Sequence, residues 1–212
     1  MAMRAAILLL GFALVGCDRD VDAPHAVRAP EAAPISALQV RDLLSPNIQP
    51  RDGNLFTTVT PDRCAGVARE VDPPFVVEAD PVVTDGGHWE SDDVNAVQIE
   101  EMVGVYPADY DARQALATAK DTIESCRDQP FTVTTMRGRN YEFTLLPPRD
   151  SGSDDIVLWS FAAADWACDS AFIAAHNAAI EISTCSPVNG YDVLSLAHDA
   201  LNRINALANT TA

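Results

Sequence analysis

The sequence predicts a single α+β domain, in which helices and antiparallel β-hairpins are mixed, over residues 35–209. Apolar residues recur at three- to four-residue spacing before Cys126 and again near the C-terminus, which indicates two amphipathic helices. Two further segments have the pattern of β-hairpins. Four cysteines lie in the same region, an even set that favours two disulfides. A body of about 175 residues without an internal repeat suits one domain.

The N-terminus predicts export and lipid attachment. Arg4 is the only charge before an 11-residue apolar run at 5–15. A membrane span needs about 20 apolar residues, so this run indicates the core of a signal peptide instead. The sequence LVGC that ends at Cys17 resembles the lipobox of bacterial lipoproteins. That resemblance implies a signal peptide over residues 1–16 and a diacylated Cys17; the alternative is an ordinary secretory signal with an incidental cysteine.

Residues 17–34 are predicted to tether the domain to this attachment point. The segment contains Pro24, Pro30 and Pro34 among acidic residues and shows neither a helical nor a strand period. Such a composition favours extended, solvated chain. At about 3 Å per residue, the tether could hold the domain up to roughly 50 Å from the bilayer.

The charge of the chain limits its partners. The sequence has 14 Lys and Arg residues against 31 Asp and Glu residues, a formal net charge of −17. Nucleic-acid binding depends largely on cationic contacts with phosphates, so we expect no nucleic-acid partner. An anionic membrane surface would also repel the chain, and we therefore expect the acyl chains on Cys17 to hold it at the membrane. The simplest reason for the acidity is solubility.

The predicted elements of the N-terminal half are two short helices, at 35–44 and 61–71, and a strand at 94–106. The first helix has apolar residues on one side. The second begins with Pro61, a residue accepted at the first helical position, and carries Cys64. The strand contains β-branched residues in partial alternation.

The next elements are a long helix and a hairpin. A helix that begins at Pro107 or Ala108 and ends at Cys126 has apolar residues at helical spacing. Strands at 131–136 and 140–146 flank a glycine-containing turn, which indicates the first hairpin.

A further strand is predicted at 156–161, and a final helix opens after Asn189 and Gly190. The apolar stripe of this last helix should pack on the sheet. Its members are Leu194, Ala197, Leu201, Ile204 and Ala208.

The segment from Cys168 to Cys185 decides the disulfide pattern. We predict a hairpin that turns at His176 and Asn177, two residue types that readily accept positive φ. In this register Cys168 lies directly opposite Cys185, at a non-hydrogen-bonded pair with Cα atoms about 4.5 Å apart, which is within disulfide reach. The pairs on the face that we assign to the core are Ile173 with Ile180 and Ala171 with Ile182.

Fixing the bridge between Cys168 and Cys185 leaves Cys64 to pair with Cys126, which would join an early helix to the end of the long one. In a chain-entropy model, the two bridges stabilise the fold by roughly 3 and 4 kcal/mol. Zinc is the competing use of four cysteines, but the sequence has no C-x-x-C pair, which disfavours it. We therefore expect no metal and no cofactor.

The order of these elements resembles a known family. An exported N-terminus precedes a strand, a helix that ends in a cysteine, a strand pair with C-x16-C spacing and a terminal amphipathic helix. The most telling stretches are WACDSAFIAAHNAAIEISTC and, after it, DVLSLAHDALNRINALA. The chain is similar in these respects to the PknH-like extracellular sensor domain of mycobacteria and their relatives, from roughly residue 35 to residue 208. That domain occurs on a receptor serine/threonine kinase and in stand-alone lipoproteins.

The resemblance implies an α+β fold with an antiparallel sheet, flanking helices and a broad cleft, with two disulfides in the pairing given above. Only Cys64, Cys126, Cys168 and Cys185 carry over, because the motif is a cysteine spacing rather than an active-site signature. The chain departs from the kinase in having neither a kinase domain nor a spanning helix. A lipid anchor reaches only one leaflet, so the mode of signalling does not carry over.

The leading hypothesis is a cell-envelope lipoprotein that binds a ligand or partner in a sheet-based cleft. It either presents what it holds, or a separate membrane protein responds to it. Ligand recognition requires convergent polar groups within an apolar cleft. The first candidates for the cleft are His88, Trp89, Tyr106, Tyr141, Trp159 and Trp166, although buried aromatic residues are mainly packing residues.

Two alternatives stay open. A protein-interaction module without a small ligand would be favoured by a large exposed apolar patch. An envelope hydrolase is disfavoured, because the sequence has neither a G-x-S-x-G nor an H-E-x-x-H motif. His88, Glu90 and Asp92 could imitate an acid–base group on one face of a strand, but a solvated acidic loop explains them more simply. We therefore expect no enzymatic activity.

Overall fold

The structure, a computed structural model, describes residues 33–49, 53–91 and 96–210. The predicted signal peptide, Cys17 and all but the last two residues of the predicted tether lie outside the described residues. The described part is an α+β domain built on an eight-stranded antiparallel sheet, which confirms the predicted fold class. Within these ranges no helix combines the length and the apolar character that a membrane crossing requires.

All neighbouring strands of the sheet run antiparallel. Their order across the sheet is β1-β4-β5-β6-β7-β8-β3-β2, with the following bounds. The strands are β1 Phe56–Thr60, β2 Val83–Glu90, β3 Gln98–Val105, β4 Phe131–Thr135, β5 Asn140–Leu145, β6 Ile156–Ala162, β7 Ala167–Ala175 and β8 Ala178–Ser186. Between β5 and β6 only Thr144 with Ala162 and Leu145 with Phe161 are paired, so this is a narrow junction between two better-paired parts of the sheet.

Several helices differ in length or type from the sequence prediction, whereas the final helix lies where it was predicted. The 3-10 helices are Ala37–Leu43 and Asp62–Cys64, and the α-helices are α1 Ala65–Ala68, α2 Pro74–Val77, α3 Ala112–Ser125 and α4 Val193–Thr210. The helix expected from Pro107 or Ala108 begins later because the Asp111 side chain caps it, accepting the Gln114 N–H at 3.0 Å.

The helix predicted at 61–71 is also shorter than expected. It ends at Ala68, and Arg69 has extended backbone with ψ 117°. The N–H groups of Glu70 and Val71 then donate to the Phe56 carbonyl oxygen of β1, at 2.9 and 3.1 Å. Backbone hydrogen bonds to the sheet therefore replace the last helical turn.

Strands β1 and β2 and the short helix α2 were not predicted. Two consecutive glycines, Gly86 and Gly87, lower the β-propensity of β2. In the structure, a Cβ atom on Gly87 would lie 2.6 Å from the Cγ2 atom of Ile48. The glycine is therefore suited to a close approach of Ile48 to this edge strand.

The predicted hairpin from Cys168 to Cys185 is confirmed in its register. The two cysteines are paired residues of β7 and β8, with their Cα atoms 4.2 Å apart in the disulfide. At the turn His176 has a φ of 52°. The second predicted bridge, Cys64 to Cys126, is also present and has a Cα–Cα distance of 5.7 Å.

Both faces of the central strands are buried, which corrects the expectation of a single core face. One side packs against α4 and the helix Ala37–Leu43 and contains Ile173, Ile180 and Ile182; we call it the α4 face. The other side packs against α1, α2 and α3 and contains Phe172 and Trp159; we call it the α3 face. Every residue of β7 and β8 is accordingly buried, because helices cover the sheet on both sides.

Candidate functional site

A cleft lies on the α3 face of the sheet, beside α2. It consists of two adjoining cavities of about 380 and 450 Å3 that share Gly53, Glu70, His88 and Glu100. Strands β2, β3 and β8 line the first cavity together with the α1–α2 connection. The second is lined by β1 and β5 on one side and by β2 and β3 on the other. Strands from opposite ends of the sheet therefore meet here, so the sheet curls around the cleft.

Strand register places a polar row across the floor of the cleft. His88 of β2 is paired with Glu100 of β3, which is paired with Ser183 of β8. Paired residues of neighbouring strands have Cβ atoms about 4.5–5.5 Å apart on one face. A second row, Met102 with Glu181, lies two residues along the same strands, so the two glutamates share the face.

Glu70 reaches the cleft from the connection between α1 and α2. Its carboxylate accepts a hydrogen bond from the Phe56 backbone N–H at 2.8 Å and from the Ser183 hydroxyl at 3.0 Å. Burial raises the pKa of Glu70 to about 7, while these two hydrogen bonds act in the opposite direction.

For Glu100 and Glu181, less in the surroundings offsets the effect of burial on the pKa. Burial raises the pKa of Glu100 to about 9, and the nearby charge of Glu70 adds to the effect. Glu181 is 7% exposed, and burial followed by the charge of Glu70 raises its pKa well above the usual value. Its Oε2 atom has no hydrogen-bond partner in the described part of the chain.

The cation whose charge acts on Glu181 is Arg69, which lowers the pKa of that carboxyl against the effect of burial. The Arg69 guanidinium donates to the Asp72 carbonyl oxygen through Nε and a terminal nitrogen, at 3.1 and 2.8 Å. These hydrogen bonds hold the cation to its own loop, so Glu181 receives its field but not its donors.

Buried carboxylates on the α4 face, in contrast, form ion pairs. Glu101 accepts the Ser45 N–H at 2.7 Å and lies 3.2 Å from the Arg203 guanidinium. Asp169 lies 3.0 Å from Arg149 and accepts hydrogen bonds from neighbouring groups as well. These buried acids have cationic partners, as the structural use of a buried charge requires.

The second cavity has an aromatic and basic end. The ring centroids of Tyr141 and Trp166 lie 6.3 Å apart. The Arg139 guanidinium lies 4.5 Å from the Tyr141 ring centroid and forms a 2.6 Å ion pair with Asp165. Arg137 lines the same cavity, so the cleft is acidic at one end and basic and aromatic at the other.

Half of the residues that sequence reasoning singled out reach the cleft. His88, Tyr141 and Trp166 line it, whereas Trp89, Tyr106 and Trp159 are core residues. The indole N–H of Trp159 donates to the Val67 carbonyl oxygen at 2.8 Å, and the Tyr106 hydroxyl donates to that of Val76 at 2.7 Å. Those polar groups are satisfied inside the core.

The three cleft glutamates were missed by the sequence analysis. One signal was present: Glu181 is the single charge within the apolar stretch AAIEISTC, and a charge in a strand that is otherwise apolar on both faces calls for a partner or a function. Glu70 gave no such signal, because it reaches the site only through the tertiary fold.

The site does not assemble the acid–base group considered above. His88 and Glu90 do line the same cavity, while Asp92 lies outside the described residues. Ser183 donates to Glu70, and strand β3 separates it from His88. Two strand spacings amount to about 9–10 Å, beyond the reach that a nucleophile and its base require. Across the described ranges, no group of three or more His, Cys, Asp or Glu side chains is arranged to hold a metal ion.

A larger cavity of about 670 Å3 lies between the α1–α2 region and α3. Its charged lining includes the exposed residues Asp62, Arg63, Glu78 and Asp111. Exposed charges of both signs are readily solvated. The Tyr110 hydroxyl, which also lines this groove, has no hydrogen-bond partner in the described part of the chain. Burying a neutral hydroxyl costs less than burying a carboxylate, so the groove gives weaker support for a ligand than the cleft.

Comparisons with known proteins agree on the fold. The family model described as the PknH-like extracellular domain matches residues 26–211. A similar solved structure, the extracellular domain of PknH from Mycobacterium tuberculosis, is 18% identical, covers 82% of this chain and 99% of its own, and gives a TM-score of 0.65. At that identity the likeness shows the fold alone.

A second structure, CalU16 from Micromonospora echinospora, is 10% identical and covers 59% of this chain and 86% of its own. Its TM-score of 0.29 is too low to support any argument. The search of curated proteins found no match.

Proposed function

Because the chain belongs to the PknH-like extracellular domain family, we propose that it is an extracytoplasmic sensor-type domain that binds a ligand or partner in the cleft. The family description supports the extracytoplasmic location. The two disulfides support it as well, because such bonds persist in oxidising compartments.

One observation supports ligand binding in the cleft most strongly: the buried Oε2 atom of Glu181 has no hydrogen-bond partner in the described structure. Leaving a buried polar atom unsatisfied costs about 1–3 kcal/mol. The same fold supplies Arg203 to Glu101 and Arg149 to Asp169, so the deficit at the cleft is not a general feature of its buried acids. A ligand that donates to this carboxyl would remove the deficit.

A barrier at the mouth of the cleft tests the proposal. Met136 lines the first cavity and is 56% exposed, so Met136→Trp should narrow the opening without disturbing the core. The purified protein is screened by thermal shift against envelope glycans and envelope lipids. We expect one class to raise the Tm of the natural protein and to have little effect on the Met136→Trp variant.

The matched control is Val188→Trp, since Val188 is 54% exposed and lies after β8, away from both cavities. This variant should respond like the natural protein. The proposal is wrong if no class shifts the Tm at saturating concentration, or if the shift survives unchanged in Met136→Trp.

The proposal includes attachment to the membrane through acylated Cys17. The LVGC sequence and the short apolar run before it support a lipoprotein signal. Two acyl chains give stable membrane attachment, whereas one gives only marginal binding. We expect Cys17→Ser to release the protein from the membrane fraction of the producing cell. Intact-mass measurement of the natural protein should show the added lipid, and a membrane-bound Cys17→Ser protein would contradict this part.

Two other functions receive less support. A protein-interaction module would be favoured by a large exposed apolar patch, but in the described part of the chain only four large apolar residues are exposed. They are Leu38, Val82, Met136 and Val188. For an enzymatic role, the cleft does not form a serine–histidine pair, because Ser183 donates to Glu70 rather than to His88; we propose that the domain binds without catalysis.

A further inference from the structure

Three carboxyl groups from three different elements converge on the first cavity. Glu70 comes from the α1–α2 connection, Glu100 from β3 and Glu181 from β8. The first has two neutral donors, and the third has an oxygen that is buried and unpartnered. Their fields act on one another, since the charge of Glu70 disfavours ionisation of both other groups.

We propose that the acidic end of the cleft binds an organic cation, a primary ammonium group carried on an apolar stem. This inference rests on the proposed function, because it names the ligand class for the same cleft. An ammonium group supplies three N–H donors and a positive charge. Within the described chain, the Glu181 Oε2 atom lacks a donor, and the only cation that acts on this carboxyl, Arg69, forms its hydrogen bonds with Asp72 instead.

The remaining lining of the cavity suits the stem. Leu55, Met102 and Met136 lie beside the carboxyls, and methionine side chains adapt readily to apolar chains. The cavity volume of about 380 Å3 exceeds what a bare ion needs. It falls within the range of sites for small organic molecules, about 300–1,000 Å3.

The charges around the cavity also favour a cation at this end. Asp72 faces it from the α1–α2 connection. Arg69 does not line this cavity: its guanidinium is held by hydrogen bonds to the Asp72 carbonyl oxygen, and only its charge acts on Glu181. His88 and Glu100 face it from β2 and β3. The other cations, Arg137 and Arg139, together with Glu90, line the second cavity, which shares Glu70 and Glu100 with the first. Glu181 lines the first cavity alone, so we place the ammonium group beside Glu181.

Proton release should accompany binding. Without a ligand, burial favours the protonated form of the cleft carboxyls, and the pKa values are raised to about 7 for Glu70 and about 9 for Glu100. An ammonium group favours the ionised form, so a carboxyl loses its proton to solvent as the ion pair forms. The amine keeps its own proton, because an alkylammonium pKa lies near 10. Affinity should therefore rise with pH up to the pKa of the free cleft, by at most about tenfold per pH unit for each proton released.

Isothermal titration of the purified protein with n-hexylamine, n-hexanol and hexanoate tests the inference. These probes share an apolar stem and differ in the charge of the head group. We expect hexylamine to bind, with Glu181→Gln weakening it by about 10- to 100-fold, the usual range for a charge-assisted hydrogen bond. Repeating the titration in buffers of different ionisation enthalpy should show protons released on binding.

The control variant is Glu142→Gln, which makes the same chemical substitution at an exposed position of β5 outside both cavities. It should bind hexylamine like the natural protein. Glu181→Gln replaces a buried carboxyl, whose protonated form burial favours, with a neutral amide of similar shape and should fold; if it does not, Glu100→Gln replaces it in the same comparison. Equal weakening by Glu142→Gln would overturn the inference, because the effect would then be one of net charge alone.

The remaining outcomes separate this inference from the proposed function. Tighter binding of hexanol or hexanoate, abolished by Met136→Trp, would keep the ligand cleft and overturn the cation. Competition by calcium chloride at micromolar concentration would indicate a metal site and overturn it too. If none of the three probes binds at millimolar concentration, the inference of an ammonium ligand is wrong. The broader proposal of a ligand-binding cleft is contradicted only by a negative result in the thermal-shift comparison of Met136→Trp described above.

Discussion

Two neighbouring glutamates of β3 lie in opposite environments. Glu101 projects to the α4 face, where the Arg203 guanidinium and the Ser45 N–H meet its carboxylate. Glu100 projects to the cleft face, where its neighbours in register are His88 and Ser183. Adjacent residues of one strand therefore carry a carboxyl that is paired inside the core, that of Glu101, and a carboxyl that lines the cleft, that of Glu100.

The difference shows how a structural acid can be told from a functional one. Burial raises the pKa of both carboxyls, but at Glu101 the Arg203 charge and two hydrogen bonds oppose the effect. At Glu100 the second cause is the charge of Glu70, which adds to it. A fold that places a cation against one buried acid and an acid against the next has not optimised the second for stability.

The largest expected effect on the free energy of unfolding comes from breaking the ion pair between Arg203 and Glu101. Arg203→Met leaves Glu101 buried without its cation and removes the donor to the Leu43 carbonyl oxygen at 2.7 Å. Loss of one partner of a buried pair costs about 3–5 kcal/mol. Urea unfolding at about pH 7 should show this loss. The loss should shrink in acid, where protonation of Glu101 removes the uncompensated charge; a loss below about 1 kcal/mol at neutral pH would contradict the structural role.

A smaller effect, an increase in the free energy of unfolding, is expected when the cleft residue Glu181 is replaced. Glu181→Gln removes an ionisable group whose pKa burial raises well above its usual value. An acid with a raised folded-state pKa contributes stability below its unfolded pKa, near 4.5, that is lost as the pH rises through the folded value. The variant should therefore be more stable than the natural protein by about 1–2 kcal/mol at pH 8 and equal to it near pH 4. A thermal unfolding series across this range measures the difference, and a destabilised variant at every pH would count against it.

The smallest effect is expected at the basic end of the cleft. Arg139 and Asp165 form a 2.6 Å ion pair, but their side chains are 57% and 64% exposed. Exposed pairs contribute about 0–1 kcal/mol, so Arg139→Gln should change the free energy of unfolding by less than that. A larger loss in urea unfolding would mean that the contact of Arg139 with the Tyr141 ring is part of the core, and that the basic end of the cleft is structural.

The sequence predicted local features well. The register from Cys168 to Cys185 followed from a two-residue turn, because alternation in a hairpin fixes every pair once the turn is known. The apolar stripe of α4 followed from helical spacing, and its members Ala197, Ile204 and Ala208 are fully buried. Both disulfides depended on this local reasoning.

The composition of the cleft could not be predicted in the same way. The alternation of side chains along a strand shows which residues share a face. Both faces of β8 are buried, however, so this alternation could not show that Glu181 lines a cleft. Glu70 joins the site through a hydrogen bond to Ser183, 113 residues away in sequence. Trp159 has the aromatic character expected of a ligand site, yet its N–H is satisfied by Val67 inside the core.

Unfolding free energies of Glu100→Gln and Glu101→Gln, measured side by side in urea at about pH 8, test the central claim most directly. The two variants make the same chemical change at adjacent positions of one strand. We predict that Glu100→Gln raises the free energy of unfolding by about 1–2 kcal/mol and that Glu101→Gln lowers it by about 2–3 kcal/mol. Destabilisation of similar size in both would mean that the cleft carboxyls are structural, and would contradict the account.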